Sequence, residues 1–377
     1  MGGRRNRRAF RYEAFVPEPV AKWSIDLRAE AVAAVTEATS SVEHLNRSPP
    51  KLQALEALTG QLLRAESLAS SRIEGLELSH RRLARAAFQG DQAHDARAGE
   101  VVGNMAAMKR AIEVGAGADP FTVADIKVIH EALLSFGLDK PIAGVVRTKQ
   151  SWIGRNAHTP HDADYIPPPP DRVDELLEDL CAFMDRTDLP ALVQAAVVHA
   201  QFETIHPFVD GNGRVGRCLI HSVFRRRALA PRYVPPISLI LATRREQYIQ
   251  GLVAFRDGRT DEWVETFSDA TTFASQEAER LAGEIADLQQ HWDEALGRPR
   301  RDSAAYAILA ALPAHPVIDV ATAQNIAAVS DVAAGRALNV IEEAGILSSL
   351  GGRRRRRIWE CGALFDLVDD FERDLAT

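Results

Sequence analysis

Residues 206–217 read HPFVDGNGRVGR, a histidine, a carboxylate, three glycines, an asparagine and two arginines within twelve positions of an alanine-rich chain. Gly211, Gly213 and Gly216 spell GxGxxG, the fingerprint of a dinucleotide-binding turn. That fold needs a strand before the glycines and an acid about twenty residues beyond them. Here a helical pattern precedes the glycines and Pro231 stands where the acid belongs, so the dinucleotide reading fails. No GxxxxGK[ST] phosphate loop occurs either. The remaining reading is a backbone that folds tightly around an anion and then begins a helix whose first amides face it.

The neighbours take roles around such an anion. Arg214 and Arg217 are three apart, so on the following helix they share a face and can both reach a polyphosphate. Asp210 suits a magnesium ion bridging phosphates, because magnesium prefers oxygen and is usually held by one or two carboxylates. His206 is the nearby side chain whose ordinary pKa suits a general base at neutral pH. Taken singly, a histidine is more often structural and Asp-Gly-Asn-Gly is more often a plain turn. Their joint occurrence with two phased arginines favours chemistry on a nucleoside triphosphate. A zinc site from His199, His206 and His221 matches no familiar ligand spacing.

Composition sets the frame. With 377 residues, 46% hydrophobic and 26% charged, the chain is a globular protein of two or three domains on a prior of roughly 150 residues each. No apolar run approaches the length of about 20 residues that spans a bilayer, and the arginine-rich start lacks the apolar core of a signal peptide. The expectation is a cytoplasmic protein without a membrane partner. Cys181, Cys218 and Cys361 are far apart and form no CxxC pair, which argues against a disulfide framework. A net charge of -7 argues against wholesale nucleic-acid binding, although positive charge clusters at 3–11, 225–227 and 353–357.

Periodicity predicts a mainly α fold. Leu52, Leu55, Leu58, Leu62, Ala65 and Leu68 recur at helical steps, as do Val173, Leu176, Leu177, Leu180 and Phe183, and Leu192, Ala195, Ala196, His199 and Phe202. GVVRTKQSWIG at 144–154, followed by a polar turn and YIPPPP, reads as an irregular β-hairpin flap, after which Asp171 caps the next helix. Beyond a linker near Gly297 come helices over 303–312 and 321–328, a helix capped by Ser330 and ending at Ala344, then two short strands in ILSSLGGRRRRRIWEC. That order is the pattern of a winged helix-turn-helix. The divisions expected are an N-terminal helical region over 1–95, a central domain over 96–297 and a wing domain over 298–377.

HPFVDGNGRVGR resembles the signature of Fic domains, HPFx(D/E)GNGRxxR, with every specified position present. The resemblance implies a helical Fic fold that transfers AMP from ATP to a hydroxyl of a target protein, with ATP and Mg2+ as cofactors. His206 is then the base, Asp210 the magnesium ligand, Gly211, Asn212 and Gly213 the anion hole, and Arg214 and Arg217 the phosphate clamps. GVVRTKQSWIG is similar to the Fic flap, so Thr148, Lys149, Gln150, Ser151, Trp152 and Ile153 are expected to dock the target by strand addition. Tyr248 in RREQYIQGL holds the place of a family tyrosine near the nucleotide, the usual tyrosine pair being Tyr-Ile here. Upstream, LLRAESLASSRIEG resembles the inhibitory motif (S/T)xxxE(G/N) through Ser70, Glu74 and Gly75. Ser70 and Glu74 are expected to share a helical face, with Glu74 pairing Arg217 and leaving ATP bound unproductively. This is the pattern of the subclass restrained by its own N-terminal helix.

The likeness covers about residues 15–290. Self-modification and a homodimer are both compatible with it, and some relatives also remove AMP. Doc-type relatives, which transfer phosphate, carry Ala-Asn-Lys where this chain has Gly211, Asn212 and Gly213, so the loop favours AMP. A reading of a different class is a DNA-binding regulator with an ATP-sensing core, in which Arg336 and Asn339 read bases and Arg353 to Arg357 follow phosphates.

Overall fold

The computed structural model describes residues 11–47, 55–90, 95–136, 140–154, 160–161, 163–350 and 357–375. Its helices are α1 (Ala29–Arg47), α2 (Leu55–Ile73), α3 (His80–Gln89), α4 (Ala96–Gly115), α5 (Val123–Leu133), α6 (Pro170–Met184), α7 (Ala191–Ile205), α8 (Asn212–Arg226), α9 (Ile237–Thr243), α10 (Arg245–Arg256), α11 (Thr260–Ala295), α12 (Ala304–Ala311), α13 (Val320–Ala327), α14 (Asp331–Glu343) and α15 (Gly362–Leu375). Three short strands, β1 (Val317–Asp319), β2 (Ser348–Ser349) and β3 (Ile358–Glu360), form an antiparallel sheet in the order β1-β3-β2, with Ile318 opposite Trp359 and Ser349 opposite Trp359.

The chain divides into two compact units, each assembled from three stretches of sequence. One comprises 1–36, 106–229 and 246–268; the other comprises 37–105, 230–245 and 269–377. The first unit holds α5 to α8 and α10. The predicted stripe of α6 is buried throughout, and so is that of α7, but α7 is buried on nearly all sides. Such a helix has lost its amphipathic signature because other elements cover every face. Helix α6 begins at Pro170, whose fixed φ and missing N–H suit the first helical position. Asp171 is therefore not the cap but a first-turn residue, where its charge complements the helix dipole.

In the second unit, Leu58 and Leu62 of α2 share one core with Ile285 and Trp292 of α11, Leu309 of α12, Leu338 and Ile341 of α14, Trp359 of β3 and Phe371 of α15. The elements from α12 onward thus bury their apolar faces in the same core as α2. Helix α3 adds polar links to them. Arg85 Nε donates to Glu360 at 2.8 Å, Arg81 pairs with Asp366 at 3.2 Å, and His80 Nε2 meets Glu372 at 2.7 Å. Leu52 lies outside the described residues, as do Arg353 to Arg356. Arg357 is described, and it is half-buried. Its guanidinium donates to Ser349, Asn339 and Glu342 at 2.9, 3.3 and 2.6 Å and lies over the Trp359 ring. Three of its donors are thus used within the domain, one of them on Asn339, itself an expected base reader, while a third of the side chain stays exposed.

The Ser70–Glu74–Gly75 stretch closes α2. Leu76 N donates to Ser71 O at 3.0 Å and Gly75 N to Arg72 O at 2.9 Å, with Gly75 at φ +84°. These paired bonds around a left-handed glycine make a Schellman stop. Ser70 is buried inside the helix, whereas Glu74 is an exposed turn residue one position beyond its last turn. Glu74 is thus the capping residue of α2, four positions after Ser70 and directly before the left-handed glycine.

Candidate functional site

Helix α7 ends at His206, which adopts the left-handed region at φ 50° and ψ 60°. A non-glycine residue there is strained and has to be held by its surroundings. Arg147 supplies the hold. Its backbone N donates to Pro207 O at 2.9 Å, and its guanidinium donates to His206 O at 2.8 Å, Pro168 O at 2.6 Å, Lys149 O at 3.2 Å and Ile205 O at 3.4 Å. This buried cation spends its donors on main-chain carbonyls, and burial lowers its pKa.

The loop is fixed from within by Asn212. Its Oδ1 accepts from Phe208 N at 2.8 Å and its Nδ2 donates to Phe208 O at 2.9 Å, so the side chain braces the turn. Gly211 stands at φ +79°, and a Cβ there would come 2.7 Å from Leu133 Cδ2. Conformation and space both demand glycine. Helix α8 then starts with no side-chain cap, which leaves its first turn of amides, at Asn212, Gly213 and Arg214, aimed along the axis towards any anion at that end. Gly216 serves a different purpose. A Cβ would meet Glu203 Oε1 at 2.6 Å and His199 Nδ1 at 3.1 Å, so this glycine lets α8 lie close against α7.

His130 of α5 supports the loop from below, and nothing in the sequence marked it. Its ring stacks on Phe208 at 3.8 Å, its Nδ1 accepts from Gly144 N at 2.9 Å, and its Nε2 lies 3.1 Å from Asp210 O. Since Nδ1 accepts, the ring proton sits on Nε2 and is donated to Asp210 O. Burial pushes the pKa down to about 4 and keeps the ring neutral.

The polar side chains expected at the site converge in part. Arg214 Nη2 is 2.8 Å from Asp210 Oδ2, with the arginine 6% and the aspartate 53% exposed at their side chains. Arg217 is 1% exposed, and its Nη1 lies 3.4 Å from the hydroxyl of Tyr248. Tyr248 is itself 4% exposed and bonds His199 Nε2 at 2.9 Å. Tyr248 thus lies against Arg217, while the neighbouring Ile249 is the exposed member of the pair. Burial and the charge of Arg217 push the pKa of His199 down to about 3.

For magnesium, the loop offers one half-exposed carboxylate, Asp210, and among the described residues no group of three or more His, Cys, Asp or Glu side chains could hold a metal. One carboxylate fits an ion that arrives with phosphates and keeps its waters; it does not fit a resident cage, and the zinc set finds no support. Near the loop, Thr148, Lys149 and Ile153 are exposed, and Ile153 pairs with Tyr165 in an antiparallel bridge at 2.8 and 3.1 Å. Gln150 turns inward and donates to Pro167 O at 2.8 Å, while Ser151 and Trp152 are half-buried. Residues 155–159 of the expected hairpin lie outside the described residues. No helix among the described residues is long and apolar enough to cross a membrane.

Comparison with known proteins supports the same assignment. Residues 120–224 match the Fic/DOC family and residues 32–113 match the Fic/DOC family N-terminal region. The protein adenylyltransferase fic-1 of Caenorhabditis elegans is 30% identical over 133 residues, 34% of this chain and 23% of its own length. A probable protein adenylyltransferase of Aquifex aeolicus is 35% identical over 98 residues, 26% of this chain and 28% of its own. The chain thus spans about a quarter of the length of these curated relatives. Among solved structures, a Fic family protein from Desulfovibrio desulfuricans superposes with a TM-score of 0.55 at 24% identity, covering 89% of this chain and 97% of that one. A Fic domain containing signaling protein from Bacteroides thetaiotaomicron does so with a TM-score of 0.54 at 17% identity, covering 67% and 97%. Residues 32–113 and 120–224 of this chain thus carry the two regions of the Fic/DOC family.

Proposed function

We propose that this protein is a protein adenylyltransferase that moves AMP from ATP onto a Ser, Thr or Tyr hydroxyl of a target protein, and onto itself, and that Glu74 restrains it through Arg217. The observation that carries the reading is the held strain at His206: a base candidate fixed in a left-handed cap, with its carbonyl gripped by Arg147, directly before the amides of α8. In the reaction, His206 takes the proton of the target hydroxyl as that oxygen bonds to the α-phosphorus of ATP. The bond from that phosphorus to the bridging oxygen breaks, and pyrophosphate leaves. The first-turn amides and Arg214 stabilise the negative charge, and Arg217 grips the terminal phosphate. Asp210 would hold magnesium, which when bound offsets phosphate charge. The edge over Thr148 to Ile153, exposed at Thr148, Lys149 and Ile153, positions the hydroxyl by pairing with target backbone.

Support for restraint comes from the end of α2. There Glu74 is exposed and directly precedes the left-handed Gly75, so its carboxylate stands at an end of α2 where the helix dipole does not favour it. Incubation with ATP labelled on the α-phosphate is expected to label a protein, Glu74→Gly to raise the labelling, and His206→Ala to abolish it. Label that persists in His206→Ala would sink the mechanism. Intact mass of the modified protein separates AMP transfer from phosphate transfer, and loss of pre-formed AMP on adding enzyme would reveal a second activity that removes AMP with water.

The order α12, β1, α13, α14, β2, β3 is read as a winged helix-turn-helix. On α14 the exposed residues include Val332 and Val340 beside Arg336 and Asn339, and we read the two exposed valines as favouring a protein contact for this face. A gel shift weakening with rising salt would argue for DNA instead.

A further inference from the structure

Tyr248 and His199 lie behind the loop, on α10 and α7, and neither reaches solvent. Their hydroxyl-to-imidazole contact of 2.9 Å is enclosed by aromatic packing. The His199 ring lies parallel to Tyr248 at 5.8 Å, and Trp263 of α11 touches both, at 5.9 and 6.2 Å. Trp263 is anchored by its own Nε1, which donates to Ala196 O at 2.8 Å, and is pressed by Gly251, where a Cβ would approach its ring to 2.7 Å. The Tyr248 ring is therefore held in place, with its hydroxyl against His199.

The same hydroxyl meets Arg217, whose Nη1 donates to the Tyr248 oxygen. A neutral imidazole can accept the phenolic proton at Nε2, which turns the oxygen's lone pairs to the guanidinium. His199 stays neutral across the physiological range because burial disfavours a charged ring, and the nearby charge of Arg217 disfavours it further.

We propose that Tyr248 and His199 are positioning residues: they set the orientation of Arg217 from behind, so that its outer donors meet the terminal phosphate of ATP. The proposal rests on the reading of Arg217 as a phosphate clamp. It replaces direct nucleotide contact by Tyr248 with action through the arginine.

The test measures ATP and ADP binding by calorimetry to the full chain carrying Glu74→Gly, alone and combined with Tyr248→Phe, Arg217→Ala, or both. Tyr248→Phe keeps the ring and removes the hydroxyl. The expected result is that Tyr248→Phe weakens ATP about tenfold and leaves ADP unchanged, as the loss of one hydrogen bond to a charged group implies. Arg217→Ala should remove the ATP preference, and Tyr248→Phe should add nothing to it. Equal weakening of ATP and ADP, or independent effects of the two substitutions, would overturn the proposal by making Tyr248 merely structural. An ATP preference that survives Arg217→Ala would defeat the clamp reading itself, and the positioning proposal with it. Melting temperature of Tyr248→Phe and a His199→Gln variant separate these outcomes from unfolding. A folded His199→Gln protein is expected to lose ATP preference in the same direction.

Discussion

Arg147 Nε donates to the carbonyl oxygen of His206 at 2.8 Å, joining the base of the flap to the one strained residue of the candidate site. The same guanidinium reaches the carbonyls of Lys149, Ile205 and Pro168. Arg147→Lys keeps a charge but offers a compact ammonium without the planar fork, so several of these carbonyls lose their donor. The expected outcome is a loss of about 2 kcal/mol in stability by denaturant unfolding, together with slower self-labelling in a Glu74→Gly background. Unchanged labelling would mean that His206 keeps its geometry without the anchor.

Two neutral histidines predict a pH dependence. His130 and His199 have folded-state pKa values of about 4 and about 3, below the ordinary value near 6.5. The unfolded chain therefore binds more protons in acid, so this stability is complete above about pH 6.5 and is lost as pH falls towards those values. At pH 5 each histidine is expected to cost roughly 2 kcal/mol relative to neutral pH. His130→Gln should flatten about half of that fall in unfolding curves recorded from pH 7 to pH 5.

Gly75 should behave as a helix stop. Its φ of +84° disfavours any Cβ, yet no atom lies within 4 Å of where one would sit. The penalty of Gly75→Ala is therefore backbone strain alone, about 1 kcal/mol. Gly75→Asn, which tolerates the left-handed region, should cost less. Thermal unfolding of the two variants compares them directly, and equal stability of both with the parent would remove the Schellman reading.

Glu372 joins α15 to both sides of the Glu74 turn, accepting from Arg72 at 2.5 Å and meeting His80 at 2.7 Å. The carboxylate is buried, and these two partners hold its pKa low against the effect of burial. Glu372→Ala leaves His80 buried without its acceptor and should destabilise the protein by about 3 kcal/mol. Because α15 shares a core with α2, a melting curve should show the loss as one cooperative shift.

The sequence by itself determined what is local. The loop motif could be read because base, carboxylate, turn glycines and arginines fall within twelve positions and one helix start, where spacing alone sets which side chains share a face. Helix stripes on α2 and α6, and the cap at Ser330, followed for the same reason. The glycine pattern suggested one function for three residues, but space decided otherwise: Gly211 makes the turn, and Gly216 admits α7. Tertiary structure alone decided what lies around the loop. His130 acts on Asp210 across 80 residues, Arg147 on His206 across 59, and Tyr248 on Arg217 across 31. No periodicity records such pairs, because whether a buried histidine or arginine is a support or a packing accident depends on which carbonyl another helix brings within hydrogen-bonding distance.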